Sequence, residues 1–244
     1  MMGLDLLFGP SVERGPRDRG RRIYLTFDDG PNERATPLIL DILAAERVPA
    51  AFFMVGKHVR LFPKLARRVR EAGHEVGNHT EHHVKLHLLG PTRIHEELAQ
   101  AHVAIVVRTG REPRVFRAPH GLRSPFLRPL ARRFGYTVFG WTFGVFDTAR
   151  PGANVIRRRV HARLRPGAIV LLHDGDGYDP EGDRMQTAEA LPGIIADARA
   201  SGYEFGALSE LLPAPFYTHS SLGTQDTAAS SPRTPTLPAP SSPD

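Results

Sequence analysis

Short, nearly unbroken apolar runs alternate along this chain with longer segments whose apolar residues recur every three or four positions. Residues 23–27, 50–55, 115–116, 137–139 and 169–172 are runs of the first kind. Runs that short and continuous predict strands buried on both faces. The longer segments predict helices. Thr36 is placed to cap one, with Pro37 at its first helical position and Leu38, Ile39, Ile42 and Leu43 forming a single stripe. Ser124 and Pro125 repeat the device before Phe126, Leu127 and Leu130. Residues 63–72, 92–107, 153–164 and 187–200 complete the set. Strand and helix in alternation predict an α/β fold built on a parallel sheet or barrel, with chemistry at the C-terminal strand ends.

The pattern fades at both ends. Residues 1–20 are rich in Gly, Pro and charge and read as a flexible N-terminal arm. From 213 to 244 the chain is dominated by Pro, Ser, Thr and Ala, too poor in large apolar residues to offset its ordering entropy, and reads as a disordered tail. One folded domain is therefore expected over 21–212.

Composition narrows the chemistry. Among 244 residues there is no cysteine, which excludes disulfides, a thiolate nucleophile and sulfur-ligated zinc, so any metal must sit on His, Asp or Glu. The formal charge of +6 is nearly all arginine, with lysine only at 57, 64 and 85. The arginines are scattered, and the densest group (Arg157, Arg158, Arg159, Arg163, Arg165) reads as a solvated helix face, so a nucleic-acid partner is not expected. No stretch approaches the ~20 apolar residues of a membrane span. The opening residues make a poor export signal, because Asp5 interrupts Leu4, Leu6, Leu7 and Phe8 and no small-residue cleavage site follows. As written the protein reads as cytoplasmic; a start codon placed too far downstream would make it extracellular or envelope-bound.

Four polar clusters follow predicted strands. Thr26-Phe27-Asp28-Asp29-Gly30 sets two carboxylates side by side; neighbouring like charges raise each other's pKa, and a cation relieves the conflict while leaving one Asp free as a base. Its plain alternative is an acidic turn. In Asn78-His79-Thr80-Glu81-His82-His83 the outer two of the last five residues are four apart, so on a helical turn His79 and His83 share one face while His82 points to solvent. Together with a strand-end Asp they supply three ligands and an open position, the layout of a catalytic metal site. Arg117-Ala118-Pro119-His120-Gly121 confines the backbone so that the His120 N–H is free to face a cleft. Leu171-Leu172-His173-Asp174-Gly175 ends the last strong strand with a histidine suited to acid or base work.

With these residues in this order, the chain resembles the polysaccharide deacetylases, a carbohydrate esterase family built on the NodB-homology domain. The likeness spans about 21–212 and runs through Thr26-Phe27-Asp28-Asp29-Gly30-Pro31, Thr36-Pro37, Ala51-Phe52-Phe53 with Gly56, Gly73-His74-Glu75-Val76-Gly77-Asn78-His79-Thr80, residues 116–121 and 171–173, Gln186-Thr187 and Gly202-Tyr203. The resemblance implies a distorted (β/α) barrel of about seven strands. It implies Asp28 as general base oriented by Arg117, a metal held by Asp29, His79 and His83, an oxyanion bound by the His120 N–H, and His173 as general acid. His/Asp ligation suits zinc, with cobalt, nickel or iron also able to fit. The implied reaction removes an N-acyl group, usually acetyl, from an amino sugar or polysaccharide. Two other outcomes are deformylation or deacylation of a lipid-linked amino sugar, and a carbohydrate-binding pseudoenzyme. One motif departs from the family. After Trp141, expected at the substrate, the pattern Asp-x-x-Asp-Trp is replaced by Gly144, Asp147 and Thr148. The Asp that tunes the catalytic histidine and the aromatic residue are both missing, leaving Asp147 to take over the tuning or to pair with Arg117.

Overall fold

The computed structural model describes residues 8–18 and 20–213; the stretch from 214 onward, in which the tail was expected, lies outside them. Eight strands alternate with helices. The strands are β1 (Arg22–Asp28), β2 (Ala50–Met54), β3 (Glu75–Asn78), β4 (Val115–Phe116), β5 (Thr137–Val138), β6 (Phe143–Gly144), β7 (Ile169–His173) and β8 (Glu204–Phe205). The helices are α1 (Ala35–Glu46), α2 (Gly56–Leu61), α3 (Pro63–Glu71), α4 (Pro91–Thr109), α5 (Leu127–Arg133), α6 (Ala153–His161) and α7 (Met185–Ala200). Seven strands line up as β5-β4-β3-β2-β1-β7-β6, every neighbour parallel, and β8 pairs with the first residues of β1. This curled parallel sheet with outer helices is the expected architecture.

Strand parity decides what faces the interior. In β1, Ile23, Leu25 and Phe27 pack outward with Phe52, Val170, Leu172 and the helical residues Ile39, Leu43, Leu191 and Ile194. The alternate residues point inward, where Tyr24 joins Ala51, Phe53, Val115 and Ile169. Both faces are buried, so the strands read as continuous apolar runs. The inward parity carries on to Thr26 and Asp28 in β1, to Leu171 and His173 in β7, and past Val115 to Arg117. The polar residues thus cap the interior column at its C-terminal end. β3 escaped the hydrophobic pattern because it reads Glu-Val-Gly-Asn. Gly77 is needed there, since a Cβ would collide with the Phe53 ring and Val115.

One helix start differs from expectation. α1 begins at Ala35, and its first amides are capped by Asn32, whose Oδ1 accepts from Arg34 N and Ala35 N at 3.0 and 2.9 Å. Thr36 lies inside the first turn, its hydroxyl drawn away to Asp174. The basic group near α6 is also less free than a solvated face. Arg159, Arg163 and Arg165 donate to the carbonyls of Val145, Gly144 and Thr142, satisfying the open edge of β6.

The stretch read as an N-terminal arm carries part of the sheet. Val12 bridges Phe139 in parallel and Arg14 bridges Ala168, and Gly15 donates to Gly167 O at 2.8 Å. Residues 12–15 thereby lace the end of β5 to the start of β7, where the sheet would otherwise stand open. No helix among the described residues is long and apolar enough to cross a membrane.

Candidate active site

β1 and β7 are in register at Asp28 and His173, so the two candidates start one strand spacing apart. Arg117 is fully buried beneath Asp28. Its Nη1 donates to Asp28 Oδ1 at 2.6 Å and to Thr26 Oγ1 at 2.8 Å, and its Nη2 to Gly140 O at 2.7 Å. The guanidinium stacks over Phe53, 4.1 Å from the ring centre. With Oδ1 held, Asp28 Oδ2 is left 3.7 Å from His79 Nε2.

Asp29 turns away from β1 with φ 77°. Its Oδ1 lies 3.3 Å from His79 Nε2 and 3.0 Å from His83 Nε2. All three residues are buried, and one ligand atom from each falls within 4.8 Å of the others. That Oδ1 is buried with no hydrogen-bond partner among the described residues, a costly state that a cation at the same point removes. His79 Nδ1 sits 2.8 Å from the Arg117 carbonyl. A carbonyl only accepts, so Nδ1 carries the proton and Nε2 presents its lone pair, the usual outer partner of a metal-ligating histidine. The donor set fits a divalent metal.

The route by which the histidines meet is not the helical turn expected from their spacing. Asn78 ends β3, and Thr80 and His83 adopt φ of 67° and 57°, so the chain coils back as a loop. Four of the seven described non-glycine residues with left-handed φ, namely Asp29, Thr80, His83 and His120, belong to this site; such strain of order 1–3 kcal/mol each persists only where the surroundings enforce it. Part of that enforcement is Gly177, where any Cβ would overlap the His83 ring. His82 is half exposed and bonded to Glu97.

His173 lies on the opposite side of the cavity. Its Nδ1 is 2.9 Å from Asp147 Oδ1, and its backbone N–H donates to Asp147 Oδ2 at 2.8 Å, where Thr187 also donates at 3.0 Å. Burial alone would lower this imidazole, but the Asp147 carboxylate, with Asp29 and Asp28 beyond it, raises it to about 9. Asp147 thus stands against His173, while Arg117 is committed to Asp28, Thr26 and Gly140. His120, with φ 57°, brings its ring edge-on to His83 at 4.6 Å; among the described residues no backbone acceptor pairs with its N–H.

These groups surround a cavity of about 260 Å³. Asp28, Asp29, His79, His83, His120, Trp141 and His173 line it, as does Thr148; Arg117 and Asp147 stand behind the wall. The sequence reading overlooked the loop after β7, which adds Asp176, Tyr178 and Arg184. Tyr178 Oη bonds His120 Nε2 at 2.9 Å, its backbone carbonyl receives Lys57, and Arg184 pairs with Asp176 at 2.7 Å. Asp174 was also passed over. It is buried, takes the Thr36 hydroxyl on Oδ2 at 2.6 Å, and burial together with Asp29 and Asp28 pushes it up to about 7. Its place beside His173 was a usable signal; nothing local marked Tyr178 or Arg184.

Residues 15–139 match the family profile described as polysaccharide deacetylase. The chain belongs to that family. A chitooligosaccharide deacetylase of Bradyrhizobium sp. (strain ANU 289) is 40% identical over 214 residues, covering 84% of this chain and 97% of that protein. A peptidoglycan-N-acetylglucosamine deacetylase of Bacillus cereus is 35% identical over 192 residues, covering 78% and 87%. Among solved structures, the family 4 carbohydrate esterase of Streptomyces lividans in complex with acetate superposes with a TM-score of 0.71 at 28% identity, over 79% of this chain and 95% of that one. Wild-type BA3943 from Bacillus anthracis, a CE4 family pseudoenzyme, gives 0.76 at 29% identity, over 83% and 68%. As a member of the polysaccharide deacetylase family this chain is a hydrolase of the deacetylase type. Likeness to a pseudoenzyme shows that fold alone does not carry activity; the site residues must.

Proposed function

We propose that this deacetylase removes the acetyl group from an N-acetylglucosamine unit of a chito-oligosaccharide or peptidoglycan fragment, with zinc on Asp29, His79 and His83. The observation that carries the reading is the convergence of three units on one cavity: Arg117 with Asp28, the Asp29-His79-His83 cluster, and Asp147 with His173. The relatives named for chitooligosaccharide and peptidoglycan substrates support the sugar class. A divalent cation supplies Lewis-acid polarisation of the amide carbonyl and a more acidic water. Asp28, oriented by Arg117, takes the proton from the attacking water. The His120 N–H donates to the developing oxyanion. His173 gives its proton to the departing sugar nitrogen, so that an amine and acetate are released. The test is acid release from chito-oligosaccharides, peptidoglycan fragments and lipid-linked N-acyl sugars, with metal content measured on the same sample. Metal-loaded protein that frees no acid from any of them refutes the reading; formate from the lipid-linked substrate alone would replace it with deformylation.

The Asp147 contact yields a pH prediction. A histidine raised to about 9 stays protonated, and so competent as an acid, well above neutrality. Activity should therefore fall on the alkaline side as pH rises through that region. In Asp147→Asn the opposing charge is gone, the protonated form is less favoured, and this limb should move to lower pH with metal content unchanged. A shift of the acidic limb instead would mean that Asp147 acts through Asp28.

A further inference from the structure

A fully buried histidine that takes no part in the chemistry above packs against the Asp29 backbone. His58 lies on α2. Its Nδ1 is 2.9 Å from the Asp29 carbonyl, and its Nε2 is buried with no hydrogen-bond partner among the described residues. A carbonyl only accepts, so Nδ1 carries the proton and donates it to Asp29 O. An imidazole with one nitrogen unpaired is a costly way to fill an interior position; leucine or phenylalanine would occupy the space without that penalty. The bond to Asp29 is what sets this residue apart from packing.

Asp29 needs to be held. Its φ of 77° lies in the left-handed region, which a non-glycine residue keeps only where its surroundings enforce it. One contiguous segment, 53–58, supplies much of the enforcement. Phe53 O accepts the Asp29 N–H at 3.2 Å, His58 donates to the Asp29 carbonyl, and the Val55 N–H donates to the Gly30 carbonyl at 2.9 Å. Gly175 closes on the same Asp29 carbonyl, since a Cβ there would lie 2.4 Å from Asp29 O. Of the three hydrogen bonds, only that of His58 comes from a side chain, so it can be deleted without altering the backbone.

We propose that His58 is a positioning residue for the metal: by holding the Asp29 carbonyl it keeps the left-handed turn and aims the Asp29 carboxylate at the point where His79 and His83 converge. The proposal rests on the metal site of the deacetylase reading and adds to it a residue that need touch neither metal nor substrate. Without the bond, the Asp29–Gly30 peptide is free to rotate toward a conformation that aspartate prefers, and Oδ1 leaves the convergent position. Only a fraction of the molecules then presents all three ligands together, and the apparent metal affinity falls by that fraction although no ligand has been removed.

The test separates the donor from the volume. Asparagine sets a side-chain N–H close to the place of the imidazole Nδ1 and has no counterpart of the unpaired Nε2. Leucine has nearly the same size as asparagine and no donor; phenylalanine keeps a ring and has no donor. Zinc affinity is measured on chelator-treated protein by competition with a chromophoric chelator, alongside the thermal midpoint without zinc. His58→Leu and His58→Phe should bind zinc roughly 10–100-fold more weakly, the usual worth of an outer partner of a metal ligand, whereas His58→Asn should stay near wild type. A residue that only filled space would give the opposite order, with phenylalanine tolerated and asparagine damaging. Wild-type zinc affinity in a folded His58→Leu or His58→Phe, or a loss in His58→Asn as large as theirs, overturns the proposal. If neither variant lacking the donor folds, nitrogen NMR of the wild type decides: the His58 imidazole should carry its proton on Nδ1, and a proton on Nε2 alone overturns it. Failure of the wild type to take up zinc overturns the metal site, and with it the deacetylase reading, rather than the hydrogen bond.

Discussion

Asp28→Asn should keep its metal and lose roughly 10²–10⁴ in turnover, the usual worth of general-base catalysis. Asparagine retains an oxygen to accept from Arg117 and keeps the side-chain volume, but it cannot take a proton from water. Metal should stay because the converging ligand atoms come from Asp29, His79 and His83, while Asp28 Oδ1 is bound to Arg117. The replacement has a second expected effect. Arg117 is fully buried, and removing its counter-charge leaves an uncompensated guanidinium, so the thermal midpoint should fall as well. Measuring rate, metal content and midpoint on one preparation separates the two effects. Metal lost with activity would make Asp28 a ligand; an unchanged rate would remove it from the chemistry.

His79→Ala should lose most of its metal and, with it, activity beyond the loss in Asp28→Asn. Only Asp29 and His83 would remain, two ligands where a catalytic site needs three. The hydrogen bond from His79 Nδ1 to the Arg117 carbonyl would vanish too, loosening the strand end that carries Arg117. A readout independent of turnover is available. Anything that binds the native state alone stabilises it by mass action, so added zinc should raise the thermal midpoint of chelator-treated wild type and leave that of His79→Ala unmoved. A variant that retains metal and rate would show the site to be elsewhere.

Much of the site was legible because its signals are local. A buried parallel strand advertises itself as a short apolar run, and a polar residue just beyond such a run must lie at a strand end. That reasoning located Asp28 at the end of β1 with Asp29 just past it, Arg117 after β4 and His173 at the end of β7 without reference to any partner. The spacing of His79 and His83 was a weaker guide: it singled out a pair whose rings do converge with Asp29, but the loop that joins them depends on left-handed turns at Thr80 and His83 that a four-residue interval does not specify. β3 and β6 lacked the signal altogether. Gly77 is required by the close approach of Phe53 and Val115, and Phe143–Gly144 is too short for a period to appear.

What the sequence determined by itself, then, was the class of fold and the residue types at the strand ends, since both follow from burial patterns within a few residues. Tertiary structure decided how those residues meet, which local pattern could not do, although the family resemblance implied that Arg117 orients Asp28. Asp147 meets His173 across 26 positions, Asp174 meets Thr36 across 138, and Arg117 meets Asp28 across 89. The same holds for residues 11–15, whose composition of small, polar and charged residues resembles that of a free arm. Their order comes from unpaired backbone groups at Val138, Gly140 and Gly167 that only the curled sheet presents. Hydrogen-bonding demand of that kind is created by the fold and leaves no trace in local hydrophobicity.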